Sequence, residues 1–248
     1  MRLISRSQRS EMTIIEHLEE LRTRLFKMVI AFLLGSALAW FLYDVFLEIL
    51  ISPLRGLPES GQIITDGKLI FTSPTEAFFI RLKVTAFAGF VLALPVILWQ
   101  IWRFVTPGLH KHEKRYAVPF VGASMGLFVG GVYFSFLMLP QALAILTSFA
   151  GTELVLLPRA SDYLSFVLLL IGAFGLAFEF PLVLLSLTLV GVLDSRKLSR
   201  GRKFAWLGML FASAIITPTQ DPITMILMAV PLILLFEATV LIARLMKR

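Results

Sequence analysis

The sequence predicts an all-α polytopic membrane protein, six transmembrane helices in a single domain over residues 1–248, with both termini cytoplasmic. Three observations predict it. Hydrophobic residues make up 58% of the chain and charged residues only 16%, against roughly 25% charged in a soluble domain. The apolar residues gather into runs, most of them long enough to cross a hydrocarbon core of about 30 Å. Most basic residues then fall on alternate connections between those runs. With a mean hydropathy of +0.86, a water-soluble fold of this length could not hide so much apolar surface. In lipid, by contrast, a helix satisfies its own backbone groups.

The chain opens on a polar arm. Thr13-Ile14-Ile15-Glu16 matches a capping box, and Ile14, Leu18, Leu21 and Leu25 recur at helical spacing. An amphipathic helix over about 13–24 is therefore expected at the cytoplasmic face, feeding the first span. Glu19 with Arg22 and Glu20 with Arg24 form opposite-charge pairs at i,i+3 and i,i+4. The first 24 residues are polar and lack a small-residue site after a short apolar core, so no cleavable signal is expected.

The spans follow at about 25–50, 82–104, 116–139, 163–190, 204–217 and 222–243. Connection 52–80 contains Pro53, Pro58, Gly61, Gly67 and Pro74, which predict turns. Within it, Ser73-Pro74-Thr75-Glu76 reads as a helix start, with Ser73 as cap, proline first and Glu76 as the cap's partner. That helix should continue into the second span. Connection 140–162 opens at Pro140, and its apolar stretch Leu154 to Leu157 suggests a short interfacial helix or plug. The fifth run, Phe204 to Thr217, reaches only about 21 Å at 1.5 Å per residue. It must thin the bilayer locally or lie behind longer neighbours.

Charge orients the bundle. The arm carries Arg2, Arg6, Arg9, Arg22, Arg24 and Lys27, and the next basic connection Arg103, Lys111, Lys114 and Arg115. Arg196, Lys197, Arg200, Arg202 and Lys203 precede the fifth run, and Arg244, Lys247 and Arg248 close the chain. These are eighteen of the 23 basic residues, and the positive-inside rule places them all in the cytoplasm. The pI near 10 thus reflects topology and contact with membrane lipid, not a nucleic-acid partner. Trp40, Trp99, Trp102 and Trp206 read as interfacial anchors.

Enzyme chemistry finds no support. There is no phosphate-binding glycine loop, no serine–histidine–aspartate set and no cysteine; His17, His110 and His112 form no zinc spacing, so neither metal nor cofactor is expected. One acid stands out. Glu179 is the only charge between Asp162 and Asp194, and a charge at mid-membrane costs about 3 kcal/mol unless it meets a cavity or partner. Pro181 frees a backbone carbonyl near Ala177, while Gly172 and Gly175 permit close approach. Glu179 is either hydrogen-bonded within the bundle or part of a concave, partly hydrated face. A second candidate is Glu113, one acid among four cations, either internally paired or offered to a cationic ligand. Glu16, Glu19 and Glu20 are its natural companions, since carboxylates accept guanidinium groups bidentately. Asp221 before Pro222 reads as a helix cap, and Glu237 faces either the bundle or the headgroups.

Several long segments in order now carry a resemblance. These are His17-Leu18-Glu19-Glu20-Leu21-Arg22, Ser73 to Phe78, Trp102 to Leu109 continuing to Glu113, Phe174 to Pro181, and Thr217-Pro218 through Asp221 to Pro231. From about Thr13 to Leu241 the chain resembles the TatC family, integral subunits of the twin-arginine protein translocase. The resemblance implies a concave, glove-like bundle in the prokaryotic inner membrane, with Sec-independent export of folded proteins driven by the proton-motive force. It implies that Glu20 and Glu113, with Phe104, Arg22 and Glu19 nearby, bind signal peptides bearing two consecutive arginines. It further implies that Glu179, beside Pro181, contacts TatA-like and TatB-like single-span subunits, and that the chain assembles with copies of itself. Thr219-Gln220 departs from the family pattern, which leaves the role of Asp221 less fixed. Two other classes remain open: a proton-coupled secondary transporter of small solutes using Glu179, and a non-transporting membrane assembly scaffold.

Overall fold

The computed structural model describes residues 14–55, 69–105, 117–148, 159–189, 193, 195–216 and 222–245. Eight helices lie within them: α1 (Ile14–Phe41), α2 (Tyr43–Arg55), α3 (Pro74–Val105), α4 (Ala117–Ser148), α5 (Ala160–Leu189), α6 (Ser195–Arg200), α7 (Arg202–Ile216) and α8 (Pro222–Leu245). Glu113, Asp221, His110, His112, the cap at Thr13 and the stretch Leu154 to Leu157 lie outside the described residues.

Among the described residues, five helices are long and apolar enough to cross a membrane: Ile15–Phe41, Pro74–Phe104, Val118–Ile145, Ala160–Thr188 and Met228–Leu245. The short α7, of 15 residues, rises about 22 Å and leans on α8 and α5. The bundle is open. α1 packs along α3, α5 sits centrally against α2, α3, α4, α7 and α8, and α7 closes the far side. The core accordingly centres on α5, with Val167, Leu170, Ile171 and Phe174 meeting Val84, Leu139, Met228 and Phe236. Buried hydroxyls in this apolar interior bond back to their own helix, as Thr239 does to the Leu235 carbonyl (2.8 Å) and Ser213 to Met209 (3.0 Å).

Two boundaries differ from the sequence expectation, whereas the arm passes into the first span. The amphipathic arm and first span form one continuous helix, with Leu18, Leu21 and Leu25 exposed and Glu20 and Arg24 turned towards α3. The arm's covered side is thus the line of His17, Glu20 and Arg24, while Glu16, Glu19, Thr23 and Lys27 stay exposed. Next, the run expected at 25–50 breaks at Leu42 into α1 and α2. Arg81 of α3 explains the corner: its guanidinium stacks 4.6 Å from the Trp40 ring and 4.9 Å from Tyr43, while Nη2 donates to the Trp40 carbonyl at 3.3 Å. A cation at a helix C-terminus meets the negative end of the dipole. Finally, α4 runs past Pro140 to Ser148, because Leu139, Ala142 and Leu143 on either side are buried and hold the helix through the proline.

The prolines in α2 and α3 are handled locally. Pro53 cannot donate to the Ile49 carbonyl, and Ser52 Oγ supplies that bond at 2.8 Å. Tyr163 Oη then ties α5 to α2 by donating to the Leu50 carbonyl at 3.0 Å in a buried setting. At the start of α3, Pro74 occupies the first turn and Glu76 the third helical position as expected. Its carboxylate, however, accepts from the Thr72 amide (2.8 Å) and hydroxyl (2.9 Å), and from the Ser161 amide at the head of α5 (3.2 Å). Glu76 is therefore a strap between two helix N-termini. Arg159 flanks it at 3.6 Å, and a single bridge joins Ile70 to Arg159.

Candidate functional site

Among the described residues, two polar clusters hold the acids singled out as candidate binding groups. The first is the end of the bundle where α1 begins and α3 ends. Residues 16, 19, 20, 23 and 27 recur at helical spacing, so they share one face of α1. With Arg24 of α1 and Arg103 of α3 they line an open groove of about 310 Å³. Glu20 lies on its wall, one-fifth exposed, and is bonded to Arg24, whose Nε donates to Oε1 at 3.0 Å and whose Nη2 donates to the same oxygen. Arg24 Nη1 reaches across to Gln100 Oε1 of α3 at 3.3 Å. The other oxygen, Glu20 Oε2, is buried, makes no hydrogen bond and lies 3.9 Å from His17 Nδ1. Phe104 stacks on the His17 ring, with centroids 4.3 Å apart and planes 13° from parallel.

Of the residues singled out from sequence, Glu19, Glu20 and Phe104 come together here. Arg22 does not: two residues beyond Glu20, it turns to the opposite side of α1 and is exposed. Arg24 was visible only as a helical ion-pair partner, and nothing marked Gln100.

The second place is the interface of α4 and α5. Ser124 Oγ of α4 donates to Glu179 Oε2 at 2.5 Å, and Glu179 Oε1 is buried without a hydrogen-bond partner. The contact depends on glycine. A Cβ on Gly131 would stand 2.5 Å from the Phe174 carbonyl oxygen, and one on Gly175 would stand 2.6 Å from the Phe128 ring. The two backbones therefore approach closely enough for a serine, the shortest hydroxyl side chain, to reach the carboxyl group. Pro181 is buried two residues on. Glu237 of α8 faces the bundle, the first of its two expected settings: it accepts from Arg202 Nη2 (2.7 Å) and Trp206 Nε1 (3.1 Å), clamping the start of α7 to α8.

These helices define a multi-pass integral membrane protein with polar groups held between spans and, at one end, a groove lined by both acidic and basic side chains. Residues 16–231 match the model of the family described as Sec-independent protein translocase protein (TatC). The chain belongs to that family. It is 42% identical to the TatC protein of Aquifex aeolicus over 96% of this chain and 97% of that one. To the Carboxydothermus hydrogenoformans protein it is 38% identical, over 95% and 94%. It is 37% identical to the Frankia casuarinae protein over 94% of this chain, which spans 66% of that relative's length. A crystal structure of a twin arginine translocase receptor, TatC, superposes with a TM-score of 0.80 at 42% identity, covering 94% of this chain and all of the other. A second, in DDM, gives 0.81 at 40% identity over 92% and 99%. The chain is thus a component of the Sec-independent twin-arginine translocase, a transport family that works with signal peptides and other Tat subunits.

Proposed function

We propose that this chain is the subunit that reads the twin-arginine signal, with the groove of α1 and α3 as its cytoplasmic docking site. The observation that carries the reading is Glu20: a carboxylate one-fifth exposed that already holds a guanidinium group, one turn from His17 and the Phe104 ring stacked on it. An incoming arginine would find a charge-assisted acceptor and an aromatic face together. Glu113, with Glu19, completes the acidic set, and Arg22 flanks the arm. Basic residues at this end of the bundle favour its placement in the cytoplasm with both termini, in a prokaryotic inner membrane. Glu179, beside Pro181, is the mid-membrane contact for a polar group in the span of a TatA-like or TatB-like partner, a reading supported by a carboxyl oxygen, Oε1, left without a hydrogen bond inside this chain. The proton-motive force drives recruitment of those partners, and copies of this chain assemble together.

The test is binding of a synthetic signal peptide with two adjacent arginines to the purified protein in nanodiscs. Replacing both Glu20 and Glu113 with alanine should weaken binding at least about a hundredfold, since each charge-assisted bond contributes about 1.5–3 kcal/mol. Unchanged affinity would remove the groove as the reader. A chain that never prefers arginine over lysine in the peptide would instead fit a scaffold, and solute-dependent proton uptake in liposomes would favour the transporter.

A further inference from the structure

We infer that Arg24 is a built-in competitor for the signal's arginine at Glu20, tethered by Gln100, and that it sets the affinity threshold a peptide must exceed. The inference rests on the proposed reading of the groove. Two Arg24 nitrogens donate to Glu20 Oε1, so the site is occupied by the same functional group that it is proposed to receive. The second oxygen gives no way round this, because Glu20 Oε2 is buried while Arg24 is in place. An incoming guanidinium must therefore displace Arg24 and cannot bind beside it. The displaced group is not lost to solvent: Nη1 is held by Gln100 Oε1 across the α1–α3 interface, 76 residues away in sequence. That tether keeps the competitor's local concentration high, which is the condition for effective intramolecular competition. The Arg24 side chain is only 12% exposed, so exchange moves it within the interface instead of into free water.

A mutually exclusive competitor weakens every ligand by the same factor, so it shifts a threshold without changing the ratio between ligands. Arginine carries a planar fork that replaces what Arg24 gives up, whereas lysine brings a compact, strongly hydrated point charge. With the threshold raised, weakly bound lysine peptides fall below useful occupancy and paired arginines stay above it. Arg24 in this account sets the affinity threshold at Glu20, which it touches directly, and leaves the arginine-to-lysine ratio to the acceptor itself.

The test measures the Kd of full-length protein in nanodiscs for one signal peptide and its twin-lysine form. The variants are Arg24→Lys, Arg24→Ala, Gln100→Leu and Lys27→Ala. Arg24→Lys keeps the charge and loses the fork, and should tighten both peptides by the same factor of about three to ten. Gln100→Leu, which cuts the tether alone, should tighten both peptides by a smaller common factor. Arg24→Ala should tighten them further than Arg24→Lys. Lys27→Ala removes another cation lining the groove and controls for simple charge attraction; its effect should be smaller and should vanish at about 1 M salt. Weaker or unchanged binding by Arg24→Lys, or Lys27→Ala matching Arg24→Ala at high salt, overturns the competitor. A wild-type chain that binds neither peptide, or binds independently of Glu20, overturns the docking site itself, and the two failures are thereby told apart.

Discussion

Gly131→Ala tests whether the α4–α5 crossing is what brings a polar pair together inside the membrane. The added methyl would stand 2.5 Å from the Phe174 carbonyl oxygen, 2.9 Å from its carbon and 3.0 Å from the Gly175 Cα, all backbone atoms that cannot rotate away. Ordinary contact begins at 3.4 Å, so the helices must part locally by about 0.9 Å. Overpacking of this kind costs about 1–3 kcal/mol. Gly126 on the same helix supplies the control, because a Cβ there meets nothing within 4 Å. Both changes gain the same helix propensity, up to about 1 kcal/mol, so the difference between the two variants isolates the clash. For a chain of this size, 1–3 kcal/mol corresponds to a Tm lower by roughly 2–10 °C in Gly131→Ala than in Gly126→Ala. The assay is residual monodisperse protein after heating in detergent. The same parting would stretch the Ser124–Glu179 bond from 2.5 Å to about 3.4 Å, near the limit for a hydrogen bond. Equal melting of the two variants would refute the close crossing.

Four further outcomes are expected. Glu179→Gln should keep crosslinks to a single-span partner and Glu179→Ala should lose them; crosslinks surviving in the alanine variant would return Glu179 to a purely internal role. Tyr163→Phe removes the bond that α5 donates to the Leu50 carbonyl of α2 and should cost about 0.5–1.5 kcal/mol, read as a lower Tm; an unchanged Tm counts against the α2–α5 tie. Arg81→Ala should destabilise by about 1–2 kcal/mol and speed hydrogen exchange around Leu42, with Arg81→Lys recovering only part because lysine lacks the planar face. Full recovery by lysine would mean charge alone holds the corner. Glu237→Gln weakens a partly exposed clamp and should cost at most about 1 kcal/mol while raising exchange in the first turn of α7. Exchange no faster than wild type there would show that α7 is held by its apolar face alone.

Much of the fold was legible because lipid imposes it. A run of apolar residues must become a helix, whatever it later packs against, so the bilayer-length segments and the brevity of α7 follow from composition and length. The breaks were not legible in that way. Leu42 sits inside a run read as a single span although Asp44 and Glu48 follow it, and the chain turns there because Arg81, about forty residues on, takes the Trp40 carbonyl. Pro140 gave the opposite error: a local breaker was overridden by buried neighbours. Among site residues, Glu20, Glu19 and Phe104 were marked by charge and resemblance, but Gln100 and Ser124 carried no signal, since an amide or hydroxyl in an apolar helix is unremarkable until its partner is known.

By itself, then, the sequence determined the class of protein, the membrane-length segments and which acids had to be explained, because these depend on the cost of placing each residue in lipid or water. Only the tertiary structure decided what these groups meet across helix interfaces: Arg24, the partner of Glu20, with Gln100, Glu179 with Ser124, Glu76 with the head of α5, and Glu237 with α7. Those pairings depend on how each helix is rotated about its axis and how closely two backbones approach. Glycines such as Gly35 against Gly89 and Gly131 against Phe174 set that approach, and it is a property of pairs of helices that no single segment contains.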